Sequence, residues 1–190
     1  KFTTSQLTIL GLMAGILFLM AYTPLGYLNI GPLAVTFNVI PVAVCAIVLG
    51  PTGGAIAGAV FGLTSFMQAI GIGGVSALGS ALFQINPFMT AVQCFGPRIL
   101  DGICIGFIYR AVHKKANTYV SCAVTGFFSA FLNTLFFMTA LIVMFGNTEL
   151  IRNLMGGHNI IVGCCLMVGV NAISEMVSST IITAAVGTAL

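Results

Sequence analysis

The stretch FGPRILDGICIGFIYRAVHKK, residues 95–115, combines a membrane-like helix with a basic end. Its first part has the apolar composition of a bilayer-spanning segment, and Arg110, Lys114 and Lys115 follow close together. Arg98 and Asp101 nevertheless stand inside the apolar part, three residues apart. Charged side chains within a spanning helix are costly, so they usually face the bundle interior or a cavity and carry a function.

The whole chain has too few charged residues for a water-soluble protein. Of its 190 residues 59% are hydrophobic and 5% are charged, whereas a soluble domain carries about 25% charged residues. The apolar runs lack the alternation of a β-barrel, so helices must be the spanning elements. The net charge of +3 is too small and too localised to indicate nucleic-acid binding. The composition predicts an all-α integral membrane protein.

Six segments are long and apolar enough to cross a bilayer, which requires about 20 residues. The predicted helices cover residues 5–22, 33–49, 55–70, 90–112, 118–145 and 160–187. Between the second and third helices, the sequence GPTGG at residues 50–54 predicts a tight turn. No soluble domain or linker remains outside these helices, so residues 1–190 are predicted to form a single transmembrane domain, a bundle of six helices.

The distribution of Lys and Arg predicts the orientation of this bundle. The segment between helices four and five holds Arg110, Lys114 and Lys115, whereas the next segment holds Arg152 opposed by Glu149. The former loop is therefore predicted to be cytoplasmic, which places both termini of a six-helix protein in the cytoplasm. Three loops then face outside, at residues 23–32, 71–89 and 146–159.

Several polar side chains lie at depth in the predicted helices. Arg98 is about 12 Å from the outer end of helix four, at a rise of 1.5 Å per residue. Asn133 and Asn171 fall deeper, in helices five and six, and Asn38 lies near the start of helix two. Glu175 follows Asn171 by four residues, toward the cytoplasmic half. We expect these groups to face a common interior or a cavity.

Two interpretations of Arg98 and Asp101 remain open. At positions i and i+3 of one helix face they can pair with each other, and a paired charge is cheaper to bury than a lone one. The pair would then only tie helices together. Alternatively, Arg98 is oriented by Asp101 and offers its planar fork to an anionic ligand. Glu175 presents the same choice between a hydrogen bond joining helices and a group at the edge of a binding cavity.

Small residues recur at helical spacing in two of the predicted helices. Helix three carries Gly54, Gly58 and Gly62 at intervals of four, and helix one carries Gly11, Ala14 and Gly15. Such stripes let helix backbones approach closely. Each stripe fits either packing inside the bundle or a flat docking face for a partner membrane protein.

The sequence contains no motif of a catalytic or nucleotide-binding site. It has neither GxSxG nor HExxH, and GPTGG lacks the lysine of a phosphate-binding loop. The six cysteines lie in apolar helices without a CxxC pair, which is typical of small buried hydrophobes rather than of metal ligands or disulfides. The chain is therefore predicted not to be an enzyme, to use no cofactor or metal, and to be unable to hydrolyse ATP by itself.

Three segments resemble the substrate-binding S components of energy-coupling factor (ECF) vitamin transporters. LNIGPLAVTFNVIPVAVCAIVLGPTGGAIAGAVFGL, residues 28–63, resembles their helices two and three, and LGPTGGAIAG is its most specific part. FGPRILDGICIGFIY, residues 95–109, and NAISEMVSSTII, residues 171–182, resemble helices four and six of the pantothenate-type members. The resemblance covers nearly the whole chain.

This resemblance implies a six-helix bundle in a bacterial plasma membrane that captures a vitamin from outside, in a pocket closed by the outer loops. It also implies that small residues of helices one to three dock on a transmembrane coupling subunit, and that two ATPase subunits drive the transport cycle. In this chain the corresponding positions are Gly11, Ala14, Gly15, Gly58 and Gly62.

The polar residues favour an anionic vitamin. Thiamine is a cation and would favour an acidic, aromatic pocket, whereas this sequence has no Trp and an arginine in the outer half. Pantothenate carries a carboxylate, an amide and hydroxyls, which suit the candidate substrate-binding residues Arg98, Asp101, Asn38, Asn133, Asn171 and Glu175. Another vitamin (riboflavin, pyridoxine or folate), an autonomous channel or facilitator with Arg98 as its selectivity group, and a purely structural subunit remain alternatives.

Overall fold

The computed structural model describes residues 3–23, 27–29, 34–73, 76–154 and 160–189, and these ranges are helical almost throughout. The helices are α1 Thr4–Tyr22, α2 Val39–Ile70, α3 Ala77–Ile85, α4 Pro87–His113, α5 Thr118–Phe145, α6 Glu149–Leu154 and α7 Ile160–Ala189. Within the described residues, five stretches are long and apolar enough to cross a bilayer, namely α1, α2, α4, α5 and the part of α7 from Asn171. The predicted helical membrane architecture is therefore confirmed, whereas the number of crossings stays a prediction.

Helix α2 is broken at Gly50, where the backbone takes φ 73° and ψ −166°. Only glycine adopts such a conformation without strain. A Cβ built on Gly54 would stand 2.9 Å from the Cβ of Ala46, although eight residues of continuous helix span about 12 Å. The two arms of α2, residues 39–49 (arm one) and 51–70 (arm two), therefore lie side by side, and the turn predicted at GPTGG is present.

The chain before arm one departs from the predicted helix start at residue 33. Strands β1 Tyr27–Asn29 and β2 Ala34–Thr36 pair antiparallel, with Tyr27 opposite Thr36, and α2 begins only at Val39. The β-branched Val35 and Thr36 favour an extended backbone, and an apolar run cannot show by itself where strand gives way to helix.

Two predicted outer loops also contain short helices. Within residues 71–89, α3 is capped by the Ser76 side chain, which accepts from the amide of Gly79 at 3.2 Å. Helix α4 begins at Pro87 instead of residue 90, because the Asn86 side chain caps the amides of Phe88 and Met89 and proline suits the first turn of a helix. The third loop, residues 146–159, contains α6.

Arm two packs on α4 through direct backbone contact. A Cβ on Gly54 would overlap the carbonyl of Gly102, and a Cβ on Gly58 would overlap that of Arg98. At Gly62 a Cβ would stand 2.9 Å from the carbonyl oxygen of Cys94. Gly58 and Gly62 therefore serve helix packing in this structure, and a docking partner could reach them only by separating arm two from α4.

Helix α5 lies between α4 and α7. The Gln93 side chain on α4 donates to the carbonyl of Phe137 on α5 at 2.8 Å. On its other side, a Cβ on Gly126 of α5 would overlap the carbonyl of Ser179 on α7. Helix α5 therefore contacts α4 through its later part and α7 through its earlier part.

Helix α1 packs on this bundle along one side only. Leu17 and Ala21 are buried, and the carbonyl of Ala21 accepts from the Gln68 side chain at 2.6 Å. Gly11 and Gly15 are exposed, and a Cβ on either would meet no atom within 4 Å. The small-residue face of α1 is thus open in the described part of the chain.

The glycine contacts predict a position-specific loss of stability. Replacing Gly58 with alanine should lower the free energy of unfolding by about 1–3 kcal/mol, because the added Cβ meets a backbone carbonyl that cannot move aside alone. For a chain of this size that corresponds to a fall in melting temperature of about 2–4 °C per kcal/mol. The measurement is thermal unfolding of purified protein in detergent.

The matched control for this prediction is Gly11→Ala, which adds the same Cβ in open space on α1. It should leave the melting temperature within error of the unmodified protein. Equal melting temperatures for the Gly58→Ala and Gly11→Ala variants would contradict the packing described for arm two and α4.

Candidate functional site

The Arg98 side chain lies between two aromatic rings near the middle of the bundle. Its guanidinium carbon is 4.6 Å from the ring centre of Phe61 on arm two and 5.3 Å from that of Phe137 on α5. One terminal nitrogen, Nη1, donates to the carbonyls of Gln93 at 3.4 Å and Cys94 at 3.2 Å. The buried Nε has no hydrogen-bond partner. The cation is thus held in place with donor capacity left over.

The predicted ion pair between Arg98 and Asp101 does not form. No ion pair within 4 Å joins these two described residues, and Oδ1 of the buried Asp101 has no hydrogen-bond partner. The reason is the direction of the arginine, which runs back toward the helix N-terminus to reach Gln93 and Cys94. Long side chains on a helix usually take this direction. Asp101, one turn in the opposite direction, therefore does not hold the guanidinium by a direct contact.

Glu175 on α7 is buried and has specific partners. Its Oε1 accepts from the backbone amide of Thr36 on β2 at 2.6 Å, and the Thr134 side chain on α5 donates to the same carboxylate. Thr134 lies three residues before Phe137, whose ring faces the Arg98 guanidinium. The structure thus brings the predicted residues Arg98 and Glu175 to one region, close to the hairpin.

Asparagines border the same region. Asn38 is fully buried, and neither atom of its side-chain amide has a hydrogen-bond partner. Ser129 on α5 donates to the carbonyl of Val39 at 3.3 Å, which places the start of arm one against α5. Asn133, one turn further along α5, has an unpartnered Oδ1. Asn171 is buried on α7, one turn from Glu175. Buried polar atoms in native proteins almost always have hydrogen-bond partners, so these amide atoms are suited to pair with a bound polar molecule.

Several residues at this site were missed from the sequence. Gln93 could have been found, because a neutral amide in a spanning helix is uncommon and it lies five residues from Arg98. Phe61 and Phe137 could not, since phenylalanine is equally expected in lipid contact and in packing. Thr36 contributes a backbone amide, and a contact of this kind cannot be predicted from a sequence pattern.

The arrangement suits a small polar molecule with a negative charge. Arg98 offers a cation between two apolar ring faces, Asn38 and Asn133 offer unused amide atoms, and Glu175 offers a carboxylate acceptor. Binding sites for small molecules combine apolar walls with a few convergent polar groups in this way. Together with the helical membrane architecture, these features define the chain as a multi-pass membrane protein with polar groups gathered in its interior.

Comparison with known proteins identifies the family. Residues 5–187 match the family described as "ECF transporter, substrate-specific component". The chain belongs to this family of bacterial plasma-membrane proteins, whose members are substrate-binding components of transporters and not enzymes. In general they take a vitamin as substrate and act with a transmembrane coupling subunit and ATPase subunits.

Two relatives cover most of the chain. The pantothenate transporter PanT of Leuconostoc mesenteroides subsp. mesenteroides is 33% identical over 178 residues, which is 90% of this chain and 81% of that protein. The pantothenic acid transporter PanT of Lactococcus lactis subsp. cremoris is 27% identical over 203 residues, which is 100% of this chain and 95% of that protein. The predicted resemblance to ECF S components of the pantothenate type is confirmed.

The unpartnered amide of Asn38 predicts opposite effects on stability and on binding. Replacing Asn38 with leucine should raise the melting temperature of the ligand-free protein, because it removes a buried amide whose desolvation costs about 1–3 kcal/mol. The same change should weaken binding of the natural ligand by about tenfold or more, since a hydrogen bond is lost. Thermal unfolding and titration calorimetry measure the two effects.

Ser129→Ala provides the contrast, because its hydroxyl already donates to the carbonyl of Val39. This variant should not raise the melting temperature. An Asn38→Leu variant that is less stable without ligand, or that binds ligand as tightly as the unmodified protein, would show that Asn38 is a structural residue.

Proposed function

We propose that this chain is the pantothenate-binding S component of an ECF importer. It captures pantothenate from outside the cell and delivers it through a partner transmembrane coupling subunit that two ATPases drive. The observation that carries the proposal is the Arg98 guanidinium, held between Phe61 and Phe137 with an unpartnered Nε. The names of both relatives, pantothenate transporter and pantothenic acid transporter, support the choice of vitamin.

The chemistry of pantothenate matches the groups at the site. Its carboxylate suits the guanidinium of Arg98, which can bind it in a bidentate manner. Its amide and hydroxyls suit the side-chain amides of Asn38, Asn133 and Asn171. Each neutral hydrogen bond adds only about 1 kcal/mol net, so affinity depends on how well these groups are held in place beforehand. The rings beside Arg98 and its carbonyl contacts provide that preorganisation.

Asp101 takes a different role in this proposal from the one predicted. Because it makes no ion pair with Arg98, it cannot orient the guanidinium directly. Its unpartnered Oδ1 is instead available as an acceptor for a ligand hydroxyl or for a water bound with the ligand. Asp101 therefore stays in the proposed site as an acceptor.

We also propose that the whole chain forms one domain with six crossings, in which the two arms of α2 belong to separate crossings. Arm one has only 11 residues, which is about 16 Å of helix and too short to cross the membrane alone. The hairpin must therefore extend this crossing to the membrane surface. The exposed Arg110, Lys114 and Lys115 lie at the opposite end of the bundle. Because cytoplasmic loops carry an excess of Lys and Arg, this end is the cytoplasmic one. Both termini then lie on the same side.

The partner-docking surface proposed here is the open face of α1. Gly11 and Gly15 are exposed there, Ala14 is half-buried beside them, and the large side chains of Leu12 and Leu19 flank them. Small residues at this spacing let a partner helix approach the backbone. A chain without a nucleotide-binding motif needs such a surface, since the energy for uptake must come from another subunit.

Arg98 gives the most direct test of the vitamin. The unmodified protein should bind pantothenate about 100-fold more tightly than the corresponding alcohol, which lacks the carboxylate, because a charge-assisted bond is lost. Arg98→Lys should weaken pantothenate binding by about tenfold or more, since an ammonium cannot form the bidentate contact. Its affinity for the alcohol should change little.

Titration calorimetry on purified, folded protein measures both affinities. The control is Arg110→Lys, the same substitution at an exposed position in the basic end of α4, which should bind like the unmodified protein. Equal affinity of the unmodified protein for the acid and the alcohol would contradict the assignment of Arg98 to the carboxylate.

The docking surface on α1 predicts a loss of uptake without a loss of binding. In proteoliposomes that contain the coupling subunit and the ATPases, Gly15→Leu should reduce ATP-driven pantothenate uptake severalfold, because the bulky side chain separates the two helices. The affinity of the isolated variant for pantothenate should remain unchanged. Uptake equal to that of the unmodified complex would contradict the docking surface, and accumulation by the chain alone would favour an autonomous transporter.

A further inference from the structure

Glu175 is the buried acidic group that the proposed carboxylate site does not explain. Its side chain is 6% exposed, which is rare for a glutamate without a positive partner in direct contact. The Thr36 amide and the Thr134 hydroxyl hold the carboxylate from two sides. A carboxylate has about four acceptor positions, so this one can accept further hydrogen bonds. It is therefore fixed in place and still has capacity for a ligand.

Glu175 and Arg98 both contact side chains of helix α5. The guanidinium of Arg98 lies 5.3 Å from the ring centre of Phe137. Glu175 contacts Thr134, which precedes Phe137 by three residues on α5. Residues three apart share a helix face at a rise of about 4.5 Å. Both charges thus rest against one face of α5, one turn apart. No ion pair within 4 Å joins them among the described residues, so the site holds a separate cation and a separate anion.

Such a site favours a ligand with an anionic end and a hydrogen-bond-donating end. A carboxylate only accepts hydrogen bonds, so it selects for a donor such as a hydroxyl. It also repels a second negative charge, and like charges placed together in a poorly solvated site discriminate strongly between ligands. Removing a charged partner can therefore change which ligand binds as well as how tightly it binds.

We propose that Glu175 is a specificity-determining residue. It accepts a hydrogen bond from the terminal hydroxyl of the ligand and excludes the same ligand once a phosphate is esterified to that hydroxyl. The site would then take the free hydroxy acid and reject its phosphorylated form. This inference rests on the proposed function, because it assumes that the carboxylate of the ligand is bound by Arg98.

The competing explanation is that Glu175 only ties β2 to α7 through the amide of Thr36. The two explanations differ in what they demand of the side chain. A structural tie needs an acceptor oxygen, which glutamine also has, whereas exclusion of a phosphate needs the negative charge.

The experiment compares binding of pantothenate and of pantothenate phosphorylated on its terminal hydroxyl, by titration calorimetry at fixed salt. The unmodified protein should prefer the free form by about 100-fold or more. Glu175→Gln should reduce this preference by about tenfold or more, mainly by binding the phosphorylated form better. Glu149→Gln, which removes the same charge from the exposed α6, should keep the full preference.

An unchanged preference in Glu175→Gln would overturn the proposal and leave Glu175 as a structural tie, and equal binding of both forms by the unmodified protein would overturn it without any variant. If the unmodified protein binds neither form, the proposed function itself fails.

A further ligand keeps the test independent of folding of the variant. Pantothenate that lacks the terminal hydroxyl should bind the unmodified protein about tenfold more weakly, since a hydrogen bond to a charged group is lost. Full affinity for this analogue would show that Glu175 does not contact that hydroxyl and would overturn the proposal.

Discussion

The backbone contact between arm two and α4 fixes the position of the other elements around it. Gly58 brings the carbonyl of Arg98 directly against arm two, and such close approach is available only to residues without a side chain. Phe61 follows Gly58 by three residues on the same helix face, so its ring lies where the guanidinium of Arg98 passes. The glycine stripe thereby positions the arginine as well as the helix, and a shift of arm two would move the cation.

The site that results gathers several polar groups that no protein group satisfies. Arg98, Asp101, Asn38 and Asn133 all have buried atoms without a hydrogen-bond partner in the protein, and buried polar groups need such partners. A ligand with complementary groups would form hydrogen bonds with them and therefore stabilise the folded protein. The contact from Glu175 to Thr36 joins the same site to the hairpin, so the hairpin backbone is connected to a residue proposed to bind ligand.

Much of this fold could be predicted from the sequence, because long apolar segments in a membrane protein must be helices. The predicted bounds of helix five, 118–145, coincide with α5, and the turn at GPTGG coincides with the break at Gly50. The short elements of the predicted outer loops were missed, since α3 and the hairpin depend on local caps and pairing rather than on an apolar run of membrane length.

The candidate site was predictable in its residues and less so in its contacts. Charged and amide side chains inside spanning helices are rare, so Arg98, Glu175 and the asparagines could be selected by type and depth. Spacing of three residues also indicated a pair between Arg98 and Asp101, which was wrong because spacing allows a contact and does not choose the rotamer. The guanidinium instead donates to the carbonyls of Gln93 and Cys94. A backbone acceptor cannot be recognised from a sequence pattern.

A crystal structure of the protein with bound pantothenate would test the central claim most directly. The account predicts the carboxylate of the ligand within about 3 Å of the Arg98 guanidinium, with the Phe61 and Phe137 rings on either side and the terminal hydroxyl directed toward Glu175. A ligand bound elsewhere, or one whose carboxylate is held by other residues while Arg98 keeps only its contacts to Gln93 and Cys94, would contradict it.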